Sequence, residues 1–333
     1  MKKEQTITIE KIEKMLHGVP SQTLKVERHL AGYAETNLFT DYFKTQTNGK
    51  GTSIAYQVLP GVQLSLNTFL ADQISFQHEA HDHILEINHC QTGRIGWNLK
   101  GGTSVYLGTG DISLHSMDRC ADSVMMFPLG YCEGITLSIN LTEFSKNFPD
   151  ILQEASVDVK QLYRNFCVPE KSISIPFNPD IDCIFKPLYK VPEHLRIPYF
   201  KLKVQELLLY LSSFDPEKSG LTQYCSQQTA LIKEIHHQLT EHLNQRYTIE
   251  ELSRQHLINT SSLKEIFKGV YGLPIATYMK EYRIRKGMEL LRHTDESIAE
   301  ISAKVGYETQ GKFTKAFKDF TQTTPTGYRR QYR

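Results

Sequence analysis

Two short runs of hydrogen-bonding side chains near the C-terminus are the residues of this chain best placed to do chemistry. The first holds Ser261, Ser262, Lys264 and Glu265, the second Gln310, Gly311, Lys312 and Lys315. The chemistry they offer is recognition. A glutamine amide can give adenine two hydrogen bonds, a carboxylate accepts from the cytosine amino group, and lysine meets guanine or phosphate. Gln310 is the strongest of the set because it stands at the start of its segment. Arg283, Lys286, Arg329 and Arg330 suit phosphate oxygens, whose neutralisation makes binding salt-dependent.

The elements that must position these residues show as a repeat. Thr248-Ile249-Glu250-Glu251-Leu252-Ser253 returns as Ser297-Ile298-Ala299-Glu300-Ile301-Ser302. Leu263-x-x-x-Phe267-Lys268 returns as Phe313-x-x-x-Phe317-Lys318, and Pro274…Tyr278 as Pro325…Tyr328, at offsets of 49 to 51 residues. Thr248 with Glu251, and Ser297 with Glu300, have capping-box spacing, a hydroxyl followed three residues on by a carboxylate. Each box opens a short helix with apolar residues at helical spacing, Ile249/Leu252 and Ile298/Ile301/Val305. Breaks at Leu257–Thr260 and Val305–Glu308 precede second helices, from about Ser261 to Val270 and from about Thr309 to Phe320. Their buried stripes are expected at Leu263, Ile266, Phe267 and at Phe313, Ala316, Phe317. Between the copies, Ile275 to His293 reads as a spacer whose roughly 18 helical residues span about 27 Å. That length can hold two recognition helices roughly one DNA turn, about 34 Å, apart.

Read together, Ser297–Tyr307, Phe313-x-x-x-Phe317-Lys318 and Thr324-Pro325-x-x-Tyr328-Arg329 resemble the C-terminal signature of AraC/XylS-type bacterial transcription regulators. The first copy and the spacer fit the same pattern. The resemblance covers roughly Gln228 to Arg333. It implies two helix-turn-helix units that read double-stranded promoter DNA, joined to a separate sensor or dimerisation domain. Three positions depart from the pattern: Glu265 stands where arginine is common, Gln310-Gly311-Lys312 replaces a more usual serine-containing stretch, and Gly287 stands where the spacer helix often has alanine. A mid-helix glycine costs up to about 1 kcal/mol in helix propensity.

Charge divides the same way. The whole chain of 333 residues carries a net charge of +1, but residues 228–333 hold 17 Lys/Arg against 12 Asp/Glu, and the remainder 21 against 25. A basic C-terminal part on a neutral-to-acidic remainder suits a DNA-binding module. No run approaches the roughly 18 apolar residues of a membrane span. The first residues lack the apolar core of a signal peptide. The six cysteines are scattered, with no C-x-x-C pair, and read as reduced thiols in a cytoplasm. Arg119 beside Cys120 is the single basic neighbour that argues for an activated thiolate.

From about Ser53 to Asn140 the chain reads as short β-branched and aromatic runs separated by turns at Pro60-Gly61, Gln91-Thr92-Gly93, Gly101-Gly102 and Gly108-x-Gly110-Asp111. Such spacing suggests a sandwich or small barrel, and Tyr106–Asp111 is similar to the strand-turn-strand of cupin-type jelly rolls. Helices are expected at Thr142–Leu152, Val157–Phe166, Ile181–Tyr189 and Leu195–Phe214. The last is apolar almost all round and must be buried, either against the sheet or in a dimer. Within His78–His83, His81-x-His83 matches a fragment of the cupin metal motif, with Glu86, His89 and His115 as further imidazole or carboxylate groups. A polar loop explains the same residues, so no metal and no cofactor are expected.

The expectation is a multidomain α+β protein. It comprises an N-terminal extension (1–50), a cupin-like β-barrel or jelly-roll sensor with flanking helices (51–214), a linker (215–227), and an all-α domain of two helix-turn-helix units joined by a linker helix (228–333). Its expected function is sequence-specific DNA binding in transcription regulation, responsive to a small-molecule effector and not enzymatic. The expected assembly is a homodimer, with RNA polymerase contacted by an activator. The rival readings are a metal-dependent cupin enzyme using His81 and His83, and a ligand-free architectural DNA binder.

Overall fold

The computed structural model describes residues 2–30, 46–75, 83–99, 101–120, 124–168, 173–216 and 220–332. They divide into two compact units, Ile9–Tyr224 and Met1–Thr8 with Cys225–Arg333.

The first unit is built on strands. Helix α1 (Lys2–Met15), which belongs to this unit from Ile9 on, leads to β1 (Thr23–His29), β2 (Gln46–Thr47), β3 (Lys50–Leu59), β4 (Val62–Leu70), β5 (Gln73–Ser75), β6 (Ile84–Gly93), β7 (Ile95–Leu99), β8 (Thr103–Leu107), β9 (Ile112–Ser116), β10 (Val124–Met126) and β11 (Tyr131–Asn140). Then come α2 (Leu141–Lys146), α3 (Asp150–Glu154), α4 (Val159–Phe166), β12 (Ile173–Ile175), α5 (Pro179–Phe185) and α6 (Arg196–Ser212). One sheet runs β1-β3-β4-β11-β6-β9-β12, and a second includes β8-β7-β10-β5-β2. Alternation along the strands sorts the first sheet's faces. Tyr56, Val58, Leu64, Leu85, Ile87, Ile135 and Leu137 share one buried cluster with Phe200, Val204, Leu207, Leu208 and Leu211 of α6. The opposite parity is polar: Ser53 Oγ donates to Asn67 (2.8 Å), Asn67 Nδ2 to Thr136 Oγ1 (3.0 Å), and Thr136 Oγ1 to Asn88 (2.8 Å). The apolar helix thus buries most of its stripe within this unit, although Leu202 stays 65% exposed.

Four expectations change. Residues 9–29 are not an extension: Ile12, Leu16 and Val19 pack on Tyr131, and β1 pairs in parallel with β3. The expected helix Thr142–Leu152 is two short ones. Asn140, not Thr142, caps α2 by accepting from Glu143 N, and Pro149, which has no N–H to continue the first helix, precedes α3. The expected turn at Gln91-Thr92-Gly93 is strand, because β6 continues to Gly93 with Gln91 as the extra residue of a bulge opposite Glu133/Gly134 of β11. α5 ends at Phe185 and tightens into a 3-10 stretch, Lys186–Lys190, beside Pro187. Cys90, Cys132 and Cys167 are buried free thiols, and Cys183 and Cys225 are exposed ones. No helix among the described residues is long and apolar enough to cross a membrane.

The second unit is helical: α7 (Ser226–Glu241), α8 (Ile249–Gln255), α9 (Thr260–Tyr271), α10 (Ile275–His293), α11 (Ile298–Lys304), α12 (Gln310–Thr321) and α13 (Pro325–Tyr332). Both capping boxes form, with Thr248 and Glu251 exchanging side-chain and backbone hydrogen bonds, and Ser297 and Glu300 doing the same. One core holds Ile284, Met288, Leu291, Ile301, Val305, Phe313 and Phe317. Around Phe267, the rings of Tyr271 and Tyr278 pack at 4.6 and 5.5 Å. Gly287 has a packing reason for its place in α10. A Cβ there would lie 3.0 Å from two ring carbons of the fully buried Phe313. The helix-propensity cost is the condition for α10 and α12 to close on each other.

Candidate nucleic-acid interface

The first turns of α9 and α12 are built alike. Asn259 caps α9 by accepting from Ser262 N at 2.8 Å, and Thr309 caps α12 by accepting from Lys312 N at 3.2 Å. These caps satisfy backbone donors that would otherwise lack partners. The buried stripes are Leu263, Ile266, Phe267, Val270 and Tyr271 in α9, and Phe313, Ala316, Phe317 and Phe320 in α12. Helical geometry then turns the intervening positions outward. Ser261, Lys264 and Glu265 are exposed and Ser262 is half-buried; Gln310, Gly311, Lys312 and Lys315 are all exposed. The residues expected to meet base edges therefore lie on the first two turns of these helices, exposed except for the half-buried Ser262. What they can do there is donate and accept hydrogen bonds and present positive charge.

The four expected phosphate contacts fare differently. Arg330 is exposed. Lys286 reaches Glu289 at 2.9 Å across one helical turn, an exposed pair that solvent and a phosphate can both displace. Arg329 is half-buried and donates to the carbonyl of Glu296 at 2.5 Å. Arg283 has partners within its own unit. Its Nη2 donates to the carbonyls of Leu243 (3.1 Å) and Gln245 (3.2 Å), and burial lowers its pKa, with Arg246 adding repulsion. It binds α10 to the segment between α7 and α8, and its charge is engaged inside the unit.

Two residues that sequence reasoning passed over stand at the same place. Glu308 accepts a hydrogen bond from Lys312 Nζ and lies 3.3 Å from Arg246 Nη1. Arg246 carries no local motif; the loop between α7 and α8 brings it there. Behind α9, His236 stacks on Tyr271 at 4.3 Å, shares a 2.8 Å hydrogen bond with Tyr278 Oη, and meets Tyr282 edge-on. Burial lowers its pKa to about 4, so the ring is neutral at physiological pH.

Among the metal-motif residues, His81 lies outside the described residues. His83 is half-buried just before β6. His115 is buried with Nε2 3.6 Å from Glu86, and its ring lies 5.7 Å from that of Trp97. His89 points elsewhere, stacked on Phe185 and bonded to Tyr189 Oη at 2.8 Å. No group of three or more potential metal ligands occurs among the described residues.

Comparison with known proteins centres on the second unit. Residues 252–331 match a helix-turn-helix domain model. The chain is 33% identical over 94 residues to the HTH-type transcriptional activator RhaR of Mannheimia succiniciproducens, covering 28% of this chain and 34% of the relative. It is 27% identical over 126 residues to the HTH-type transcriptional regulator ExsA of Pseudomonas aeruginosa, covering 38% of this chain and 45% of that protein. The chain thus spans about a third to a half of the length of these relatives. Among solved structures, the C-terminal domain of the two-component response regulator yesN from Fusobacterium nucleatum matches at 30% identity, over 31% of this chain and 99% of that one, with a TM-score of 0.28.

Proposed function

Given that residues 252–331 are an AraC-type helix-turn-helix domain whose relatives are AraC/XylS-family transcription regulators, we propose that this protein regulates transcription by reading promoter DNA with two helix-turn-helix units. The observation that carries this reading is the matched presentation of α9 and α12. Each is preceded by a capped short helix, each buries an aromatic stripe, and each turns polar side chains outward from its first turn. The 19-residue α10 between the pairs spans about 28 Å, close to the separation of adjacent major grooves on one face of DNA. Selection of DNA sequences by the purified full-length protein tests this. Two short boxes about 10 base pairs apart are expected. Gln310→Ala should cost about 1–3 kcal/mol at one base position and relax specificity there. Uniform weakening across all sequences would assign Gln310 to phosphate, and a single box would remove one unit from base reading.

In this proposal the first unit is a cupin-like sensor that binds a small-molecule effector and supports a homodimer. An activator would also contact RNA polymerase. Support for a ligand comes from a cavity of about 540 Å³ on the helix side of the first sheet, within the range of small-molecule sites. Thr52, Ile54 and Leu66 line its floor, with Glu133, Tyr189 and Arg196 around them. Glu133 is already ion-paired with Lys11 at 3.0 Å, whereas Arg196 is bonded to the hydroxyl of Tyr56 and the carbonyl of Val191. If effector and DNA are coupled, each tightens the other by the same factor. Calorimetry with a metabolite that raises the thermal stability should show higher affinity when operator is present; equal affinity in both cases would sink the coupling.

A further inference from the structure

The two helix pairs differ by one residue in the turn, and the difference is informative. After the first short helices, Ile258 N donates to Ser253 O at 3.1 Å and Tyr307 N to Ser302 O at 3.0 Å, equivalent bonds at an offset of 49. The caps that follow, Asn259 and Thr309, are 50 apart. The first pair goes directly from Ile258 to its cap, while the second inserts Glu308. The inserted residue is not a passive spacer. One carboxylate oxygen accepts from Lys312 Nζ and the other lies 3.3 Å from Arg246 Nη1. The side chains of Glu308, Lys312 and Arg246 are 53%, 61% and 61% exposed. Lys312, and with it Arg246, lowers the pKa of the Glu308 carboxyl and so favours its charged form. An anion therefore stands at the head of the helix whose exposed first turn carries Gln310, Gly311 and Lys312.

We propose that Glu308 is a specificity-determining residue that suppresses binding to DNA of arbitrary sequence by occupying Lys312 and Arg246 and repelling phosphate. The proposal rests on the reading of α12 as a DNA-facing helix. DNA of arbitrary sequence offers mainly phosphate contacts, and binding to it is almost wholly electrostatic. Two cations paired with a carboxylate gain less by meeting phosphate, since they give up that pairing, modest as it is between exposed groups, and the carboxylate itself is repelled. At a cognate site the base contacts of α9 and α12 seat the helix. There a carboxylate that releases its lysine can accept from a cytosine amino group, which a random sequence does not guarantee at that position. Glu308 thus subtracts more from non-specific than from specific binding, which is discrimination by an unfavourable element.

The test uses the full-length protein, a random-sequence duplex and a selected duplex over a range of salt concentrations. Glu308→Gln should raise affinity for the random duplex about three- to tenfold at low salt. It should steepen the salt dependence by about one to two units, roughly 0.9 for each cation freed to meet phosphate. The ratio of selected to random affinity should fall. Lys312→Met supplies the second reading. It should change the salt slope for random DNA little in the wild-type background and lower it by about one unit in the Glu308→Gln background. The assignment is overturned if Glu308→Gln leaves the random-duplex affinity and slope unchanged, or lowers both. An equal effect of Lys312→Met in both backgrounds overturns it as well. If the wild-type protein binds neither duplex in a salt-dependent way, the DNA-facing reading of α12 itself is wrong, a result distinct from either of those.

Discussion

Gly306→Ala is expected to destabilise the C-terminal unit by more than about 3 kcal/mol and to remove DNA binding with it. Gly306 sits in the turn between α11 and α12 at φ +81, a conformation that costs residues with a side chain about 1–2 kcal/mol. The steric problem is larger. A Cβ would lie 1.8 Å from the carbonyl oxygen of Leu243 and 2.8 Å from its carbon, so backbone must move. That carbonyl also accepts from Arg283 Nη2, so moving it strains the bond that binds α10 to the segment after α7. The first helix pair provides the control. Leu257 occupies the equivalent turn position at φ 52, but its side chain is 94% exposed and meets no such obstacle. Leu257→Gly should be neutral or stabilising by up to about 1 kcal/mol. Arg283→Met should lower stability while leaving the salt dependence of DNA binding unchanged, since its donors are turned to carbonyls. Urea unfolding and DNA titration of the three variants check this. A Gly306→Ala protein within about 1 kcal/mol of wild type would show that the turn is not the tight joint described.

The contrast between these two turns also explains how far the sequence could be read. Capping boxes, aromatic stripes and the spacer helix follow from local spacing, so Thr248, Ser297, Phe267, Phe317 and Ile275–His293 take the places expected of them. So do the outward first turns of α9 and α12. The type of Arg283 suits phosphate, and its bonds to the carbonyls of Leu243 and Gln245, some 40 residues away in sequence, leave no local signal. Arg246 was invisible for the same reason. Glu308 left a trace, the step in repeat offset from 49 to 50, which carries meaning only once the caps are located. In the first unit, β1 was missed because Thr23-Leu-Lys-Val-Glu-Arg-His29 mixes charges into an edge strand whose partner, β3, begins only at Lys50. Long-range pairing of that kind leaves no local period.

Acid should destabilise the C-terminal unit in a window set by one histidine. An unfolded histidine titrates near 6.5, whereas His236 titrates at about 4, because burial among Tyr271, Tyr278 and Tyr282 disfavours its charged form and His237 adds repulsion. Between those values the unfolded chain binds a proton that the folded one does not. The stability tied to the neutral ring is therefore complete above pH 6.5, declines as pH falls through the window, and is lost near pH 4. The full loss is about 3 kcal/mol, of which about 2 kcal/mol has gone by pH 5. The capping carboxylates Glu251 and Glu300 have lowered pKa values, held down by bonds to Thr248 and Ser297. Their contribution is present above the ordinary carboxylate range and disappears only below it, outside the window between pH 7.5 and 5. His236→Phe keeps a ring against Tyr271 and cannot protonate. It forfeits the hydrogen bond to Tyr278 and should be less stable than wild type at pH 7.5, yet that deficit should shrink by about 2 kcal/mol at pH 5. His89, lowered to about 3 by burial, adds its own acid sensitivity in the other unit, but it is common to both proteins and cancels in the comparison. Parallel stability curves for wild type and variant would mean that His236 takes up its proton in the folded state. In that case the stack on Tyr271 would have to admit water, and α9 would lose the dry aromatic support on which its outward first turn depends.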